Sequence, residues 1–220
     1  MYAENKLFKN LPEQYLKRIP FYHQILSELA LKNEAYVSSR YLAGFFNVDE
    51  TQIRKDISLT GYKGKPKYGY SVQGLKEAIE AYLGINYHNT AVLFGAGKLG
   101  TALIEYEGLA DYGLEIIAVF DNNPVKIGSP VGHFNILSPS ALPRVIRSFD
   151  IGIAILTVPK TAAQEVCDQV TAMGIKAIWN FAPLQLSVGM DVILRNENLA
   201  AGAALLSYYL KKSNHRQEGP

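Results

Sequence analysis

A chain of 220 residues suits one or two domains, and 48% hydrophobic content suffices for a real core. The net charge of +2 is too small to name a partner by itself, and a single cysteine, Cys167, excludes an intrachain disulfide. No apolar run approaches ~18 residues and the first 20 residues are mixed and polar, so neither a membrane span nor a signal peptide is expected, and the expected location is cytoplasmic.

Leu11 to Asn33 has a helical pattern, with Ile19, Tyr22, Ile25, Leu26 and Leu29 as its apolar stripe and a kink or fresh start expected at Pro20. Ser38 or Ser39 caps a second helix over Arg40–Phe46. Asp49 caps a third, with Gln52 three residues later as in a capping box. In that third helix Ile53 and Ile57 face one way, Thr51, Gln52, Arg54 and Lys55 are left for the outer face, and Gly61 ends it. A glycine- and lysine-rich turn follows, in which Tyr68, Tyr70 and Val72 alternate as in a strand. Helix, turn, helix and hairpin make a winged helix. From Thr51 to Tyr70, Arg54, Lys55, Lys63, Lys65 and Lys67 stand against Asp56 alone, a local charge of +4. Such a patch fits double-stranded DNA, with the helix at base edges and the wing at phosphates or the minor groove. The candidate DNA-binding residues are Ser38, Ser39, Thr51, Gln52, Arg54, Lys55, Lys63, Lys65 and Lys67. A helix over Gly74–Leu83 closes the domain, and 84–89 links it to the next.

Thr90 to Asp121 reads as strand, glycine turn, helix, strand and acid. Gly95, Gly97 and Gly100 form G-x-G-x-x-G directly after an apolar, β-prone run. The first glycine permits the tight turn, the second lets backbone approach a pyrophosphate, and the third seats the helix on the sheet. Free N–H groups at the helix start hold phosphate charge. Asp121 follows about 20 residues on, where a carboxylate accepts from the adenosine ribose hydroxyls. A 2′-phosphate would face that carboxylate, which favours NAD(H) over NADP(H); Lys126 softens the exclusion modestly. Beyond it, Pro130–Leu137 supplies a third strand, Ser138 caps a short helix to Arg147, Ile151–Thr157 is a buried strand, Pro159–Met173 a helix, and Ile175–Trp179 and Val188–Leu194 further strands. Asn196–Lys212 is a final helix whose Ala-rich, largely apolar surface points to burial against something large, such as a second subunit. Ser213–Pro220 is polar and expected to be disordered.

The resulting fold class is α/β: an N-terminal winged helix-turn-helix domain (1–85), a doubly wound Rossmann domain (86–195), a C-terminal helix (196–213) and a tail (214–220). Over nearly its whole length the chain resembles the Rex family of redox-sensing transcriptional repressors. The resemblance rests on TQIRKDIS at 51–58, GYSV at 69–72, LFGAGKLGTAL at 93–103, FDNNPVKIG at 120–128, ILTVPKTAAQ at 155–164, IWNFAP at 178–183 and the terminal ENLAAGAALLSYYL. It implies a homodimer with a swapped last helix, palindromic operators, release from DNA on NADH binding, and competition by NAD+. It implies DNA contacts by Arg54 and Lys55, cofactor contacts by Ala96, Lys98, Leu99, Tyr106, Thr157, Val158 and Phe181 beside the glycines and Asp121, and a switch through Phe181, Asp191 and the position of Gln24. Members usually carry an aromatic-Gly pair where this chain has Thr60-Gly61, a wing arginine where it has Pro66, and in some an arginine where it has Gln24. NADH and NAD+ differ in charge and planarity at the nicotinamide, so Tyr106 and Phe181 are expected to sense the ring and Asp191 to report it across the dimer; by linkage DNA then weakens NADH binding by the same factor.

The rival class is an NAD-dependent dehydrogenase of the short-chain type, with Tyr208 and Lys212 as Y-x-x-x-K. Its glycine pattern differs from the one here, and Tyr208 falls on the closing apolar helix. His23, His88, His133 and His215 are scattered, so no metal site is expected. The chain is therefore expected not to be an enzyme.

Overall fold

The computed structural model describes residues 13–217. Leu11 and Pro12 of the expected first helix, and residues 218–220 of the tail, lie outside them. The chain separates into two compact units between Tyr87 and His88.

The first unit comprises α1 (Glu13–Leu31), β1 (Tyr36–Val37), α2 (Ser39–Ala43), α3 (Glu50–Leu59), β2 (Tyr70–Ser71) and α4 (Val72–Leu83). Local chemistry starts each helix after α1. The Ser38 hydroxyl accepts from Tyr41 N at 3.0 Å, Asp49 Oδ1 from Gln52 N at 2.8 Å, and the Ser71 hydroxyl from Gly74 N at 3.3 Å. No fresh start occurs at Pro20: α1 runs through it from Glu13 to Leu31. A proline there removes one backbone hydrogen bond; burial of Tyr15, Ile19, Tyr22, Leu26 and Leu29 along one face, at about 1.5–3 kcal/mol for a fully buried large apolar side chain, outweighs the loss. These residues meet Leu42, Ile53, Ile57, Val72, Leu75 and Ile79 in one core. The expected wing strand is only two residues long. It pairs antiparallel with β1, Tyr36 opposite Ser71 and Val37 opposite Tyr70, and Val72 already belongs to α4.

The second unit holds β3 (Asn89–Phe94), α5 (Lys98–Ile104), β4 (Leu114–Phe120), β5 (Pro130–Val131), β6 (Phe134–Asn135), α6 (Leu142–Ser148), β7 (Ile153–Leu156), α7 (Lys160–Ala172), β8 (Ala177–Asn180), β9 (Ile193–Asn196) and α8 (Leu199–Gln217). Five parallel strands run in the order β4-β3-β7-β8-β9. Helices α6 and α7 cover one face through Leu142, Val145, Ala163, Cys167 and Val170, and α5 covers the other through Leu103 and Ile104. Pro130–Leu137 is not a strand of this sheet. Gly132 takes a left-handed turn (φ +54°), and β5 and β6 fold into a separate two-stranded hairpin, joined to β4 by backbone hydrogen bonds at Leu137 and by packing of Val131 and Ile136 with Val119. Helix α8 extends past the expected end at Lys212, and Asn198 caps it by accepting from Ala200 N and Ala201 N. Every described side chain from Leu199 to Ser213 is exposed, so among the described residues nothing buries the apolar surface of this helix.

Candidate nucleotide pocket and nucleic-acid interface

Connections leave β3 and β7 in opposite directions, which opens a crevice at the carboxyl ends of these neighbouring strands. Because all five strands are parallel, Gly95 after β3, Asp121 after β4, Thr157 and Val158 after β7 and Phe181 after β8 reach the same edge of the sheet. Gly95 has φ +101°, and a Cβ there would lie 2.7 Å from Thr157 O. A Cβ on Gly100 would lie 2.0 Å from Gly95 O, so this glycine seats α5 against the turn. The Thr157 hydroxyl clamps the same turn, donating to Gly95 O at 2.7 Å with Phe94 O at 3.0 Å. Gly97 differs: a Cβ there would meet nothing within 4 Å. Packing within the protein does not require it to be glycine, whereas close approach of a ligand does. It is also the cap position of α5 and brings no side chain to occupy the first-turn N–H groups, Lys98, Leu99 and Gly100 being the first helical residues.

Asp121, only 9% exposed, is already engaged. Its Oδ2 accepts from Ala96 N at 3.0 Å and from Lys126 Nζ at 3.0 Å; its Oδ1 accepts from Asn123 N at 2.8 Å. Burial pushes this carboxyl upward, but the Asn123 N–H, the Lys126 ammonium and the Ala96 N–H together hold it below the usual carboxylate range. Phe181 stands with its ring 4.8 Å from that of Trp179, on the α5 face of the sheet.

Three expected residues, the ring contact Tyr106 and the switch positions Asp191 and Gln24, lie elsewhere in the chain. Tyr106 lies beyond the end of α5, roughly 10 Å along the helix from the glycine turn by its rise per residue, and is exposed. Asp191 precedes β9, at the amino end of the sheet, where it pairs with Lys176. Gln24 is exposed on α1 of the first unit, beside Phe21, Phe45 and Phe46.

On the first unit, Arg54 and Lys55 are exposed on α3, and Lys63, Lys65 and Lys67 on the wing. The wing tip closes through Lys65 N to Gly69 O at 2.7 Å and Gly69 N to Lys65 O at 3.0 Å. Lys65 Nζ lies 3.4 Å from the Tyr36 hydroxyl, and the Tyr36 and Tyr68 rings are 5.5 Å apart. Thr51 and Ser38 are exposed; Ser39 is buried. Glu50, unremarked in the sequence, gathers this corner. It accepts from Arg40 Nε at 2.8 Å, from an Arg54 guanidinium nitrogen at 2.8 Å and from the Ser39 hydroxyl at 3.3 Å, while Arg54 Nε donates to Ser39 Oγ at 3.2 Å. The i, i+4 spacing of Glu50 and Arg54 was the available signal.

Gln52 does not complete the capping box and does not face outward. Its amide turns inward and donates to Asp56 Oδ1 at 2.8 Å. Asp56, counted above as surface charge, is 1% exposed. Arg18 donates to both its oxygens at 2.7 and 2.8 Å, and Tyr22 donates at 2.6 Å. Burial raises this carboxyl and the Arg18, Tyr22 and Gln52 bonds more than reverse it, so it stays ionised and fixes α3 to α1. Its position, between Ile53 and Ile57 on the apolar side, was the readable clue, since a charge there requires a partner.

Tyr208 and Lys212 of the rival reading sit exposed on α8 with the ammonium over the tyrosine ring, 5.3 Å from its centre, and not at its hydroxyl. Among the described residues no helix is long and apolar enough to cross a membrane, and burial raises the Cys167 thiol to about 11, which makes it inert.

Comparison with known proteins bears on both halves. Residues 10–58 match a family described as putative DNA-binding protein N-terminus, and residues 86–184 match the CoA binding domain family. The redox-sensing transcriptional repressor Rex of Clostridioides difficile is 40% identical over 204 residues, covering 93% of this chain and 97% of that protein. The crystal structure of RSP in complex with β-NAD+ and operator DNA superposes with a TM-score of 0.86 at 33% identity, over 94% of this chain and 96% of that one. RSP in complex with β-NADH gives 0.85 at 32% identity, over 95% and 98%. The relative of Clostridioides difficile is a redox-sensing transcriptional repressor, and the identity to it runs through nearly the whole of both chains: the chain belongs to the Rex family of redox-sensing transcriptional repressors.

Proposed function

We propose that this repressor acts as a cytoplasmic homodimer that holds operator DNA with residues 1–85 and reads the NADH/NAD+ ratio with residues 86–195. The likeness to a repressor solved on its operator with NAD+, and again with NADH, carries the reading. Arg54 and Lys55 are the base- and phosphate-facing cations of α3, Thr51 and Ser38 flank them, and Lys63, Lys65 and Lys67 bring the wing to the backbone or minor groove. Ser39 and Gln52 act at one remove, Ser39 by orienting Arg54 and Gln52 by holding Asp56.

In the second unit Gly97 and the first-turn N–H groups of α5, with Lys98, take the pyrophosphate, and Asp121 takes the adenosine ribose. NADH and NAD+ supply the difference in charge and planarity at the nicotinamide, and Phe181, at the far side of the same edge, is placed to meet that ring. Tyr106, Asp191 and Gln24 act in the dimer and not in one chain's pocket. The exposed apolar surface of α8 supports its role as the swapped dimerisation helix. NADH releases the dimer because it favours the conformation that does not fit DNA, and DNA weakens NADH binding by the same factor.

Fluorescence anisotropy on a labelled palindromic operator, titrated with NADH and separately with NAD+, tests this. Tight binding that NADH reverses at concentrations where NAD+ does not is the expected result. Binding indifferent to both nucleotides removes the redox switch, and no binding at low salt removes the operator.

A further inference from the structure

Helix α3 begins on an acid. Glu50 is its first residue, at the end where a helix favours negative charge, and its carboxylate ties α3 to α2. One oxygen accepts from Arg40 Nε of α2 at 2.8 Å; the other accepts from an Arg54 Nη at 2.8 Å and from the Ser39 hydroxyl at 3.3 Å. That hydroxyl in turn accepts from Arg54 Nε at 3.2 Å. The Arg40 bond, with Ser39 and the Arg54 charge, holds the Glu50 carboxyl below the usual carboxylate range against its desolvation. Arg40 is 87% exposed and Arg54 58%, whereas Glu50 is at 30%, so the two cations stand outside the acid that holds them.

A guanidinium carries five N–H groups in a rigid fork. Arg54 gives its Nε–H to Ser39 and one Nη–H to Glu50, which sets the side edge of the fork against the protein. Neither bond uses the end edge, which presents one N–H from each Nη, side by side. In the major groove that edge matches O6 and N7 of guanine, the base that offers two adjacent acceptors. The acid also acts on DNA of any sequence, because it repels phosphates. Arg40, Glu50 and Arg54 together carry +1, where the two arginines alone would carry +2. Glu50 therefore lowers attraction to DNA in general while it fixes the geometry that reads a base.

We propose that Glu50 is a positioning residue for operator reading: it clamps Arg40 and Arg54 at the start of α3, aims the end edge of Arg54 at a guanine, and keeps Arg40 beside it as a further phosphate-facing cation, so that selectivity rises while general affinity for DNA falls. This rests on the DNA-binding reading above and deepens it.

The test is fluorescence anisotropy of the full-length protein on three kinds of probe: a duplex that the wild type selects from a randomised pool, a scrambled duplex, and versions of the selected duplex with single G·C pairs changed to A·T. Glu50→Gln keeps the shape and removes the charge. It binds the scrambled duplex as tightly as the wild type or up to about threefold more tightly, binds the selected duplex more weakly, and loses about tenfold in discrimination. One G·C change weakens the wild type by about tenfold or more and leaves Arg54→Ala indifferent; Glu50→Gln added to Arg54→Ala lowers discrimination no further. Arg40→Ala weakens both duplexes alike and reduces the logarithmic salt slope by about 1. Unchanged discrimination in Glu50→Gln overturns the inference. Parallel weakening on both duplexes also overturns it and leaves Glu50 as a brace of the unit, and so does full additivity with Arg54→Ala. A wild type that selects no duplex and binds none at low salt sinks the DNA-binding reading itself, which is a different failure.

Discussion

The Asp56→Ala substitution removes the carboxylate around which the DNA-binding unit is assembled. Two Arg18 bonds at 2.7 and 2.8 Å, one from Tyr22 at 2.6 Å and one from Gln52 at 2.8 Å lose their acceptor together. Arg18 keeps its charge in a site where its side chain is only 14% exposed. Breaking a buried pair by deleting one partner costs about 3–5 kcal/mol. The orphaned Tyr22 hydroxyl belongs to the same loss and does not add in full. For a unit of this size, with stability of order 0.05–0.15 kcal/mol per residue, that is a large share of what holds it folded. Urea unfolding of the full chain separates the two units spectroscopically, because the single tryptophan, Trp179, lies in the second. The far-ultraviolet dichroism of the largely helical first unit should move to lower urea while Trp179 emission holds its midpoint. Operator binding should be lost and NADH binding kept. Adding Arg18→Met should recover more than ~1.5 kcal/mol, because the buried charge goes with it. The pH dependence has a defined sign. The Asp56 carboxyl is held below its ordinary value, so its contribution is complete above about pH 4 and is lost as the pH falls through the folded value. The wild-type acid limb should flatten in Asp56→Ala. A dichroism transition shifted by under ~1 kcal/mol, or Arg18→Met that worsens the loss, would refute the reasoning.

Three further outcomes follow from the geometry. Gly97→Ala should abolish NADH binding with an unchanged melting temperature, since its Cβ meets nothing in the protein; Gly100→Ala should lower the melting temperature measurably, since its Cβ lies 2.0 Å from Gly95 O. Arg54→Ala should weaken operator binding by about 1–3 kcal/mol and relax base preference, whereas Lys65→Ala should weaken all sequences alike and reduce the logarithmic salt slope by about 1, both measured by anisotropy over a salt series. Truncation after Asn198 should convert the dimer to a monomer in analytical ultracentrifugation, since the exposed apolar residues of α8 leave with it; a truncated dimer would contradict the swapped-helix role.

Short-range spacing made half of this molecule readable. Gly95, Gly97, Gly100 and Asp121 lie within a single strand-turn-helix-strand unit, and their roles depend on backbone conformation and reach, which are local. Ser38 and Asp49 were readable as caps for the same reason: each bonds an N–H three residues ahead. The basic side chains of α3 and the wing were readable as charge, because exposed charge needs no partner to be recognised. Tertiary structure decided the rest. Arg18 and Asp56 are 38 positions apart, and only the packing of α1 on α3 makes a surface-looking acid into a buried ion pair. Two-residue strands carry no periodicity, so the pairing of β1 with β2 and the folding of β5 onto β6 away from the main sheet depended on which backbone edges lay near one another. Lys126 was visible as a neighbour of Asp121 in sequence, but whether its ammonium turned to that carboxylate or to solvent was a matter of the loop's hydrogen bonds. Helix α8 was recognisably apolar from its residues alone; that the described residues leave its side chains from Leu199 to Ser213 exposed was decided only by the tertiary structure, because burial depends on which distant elements pack together.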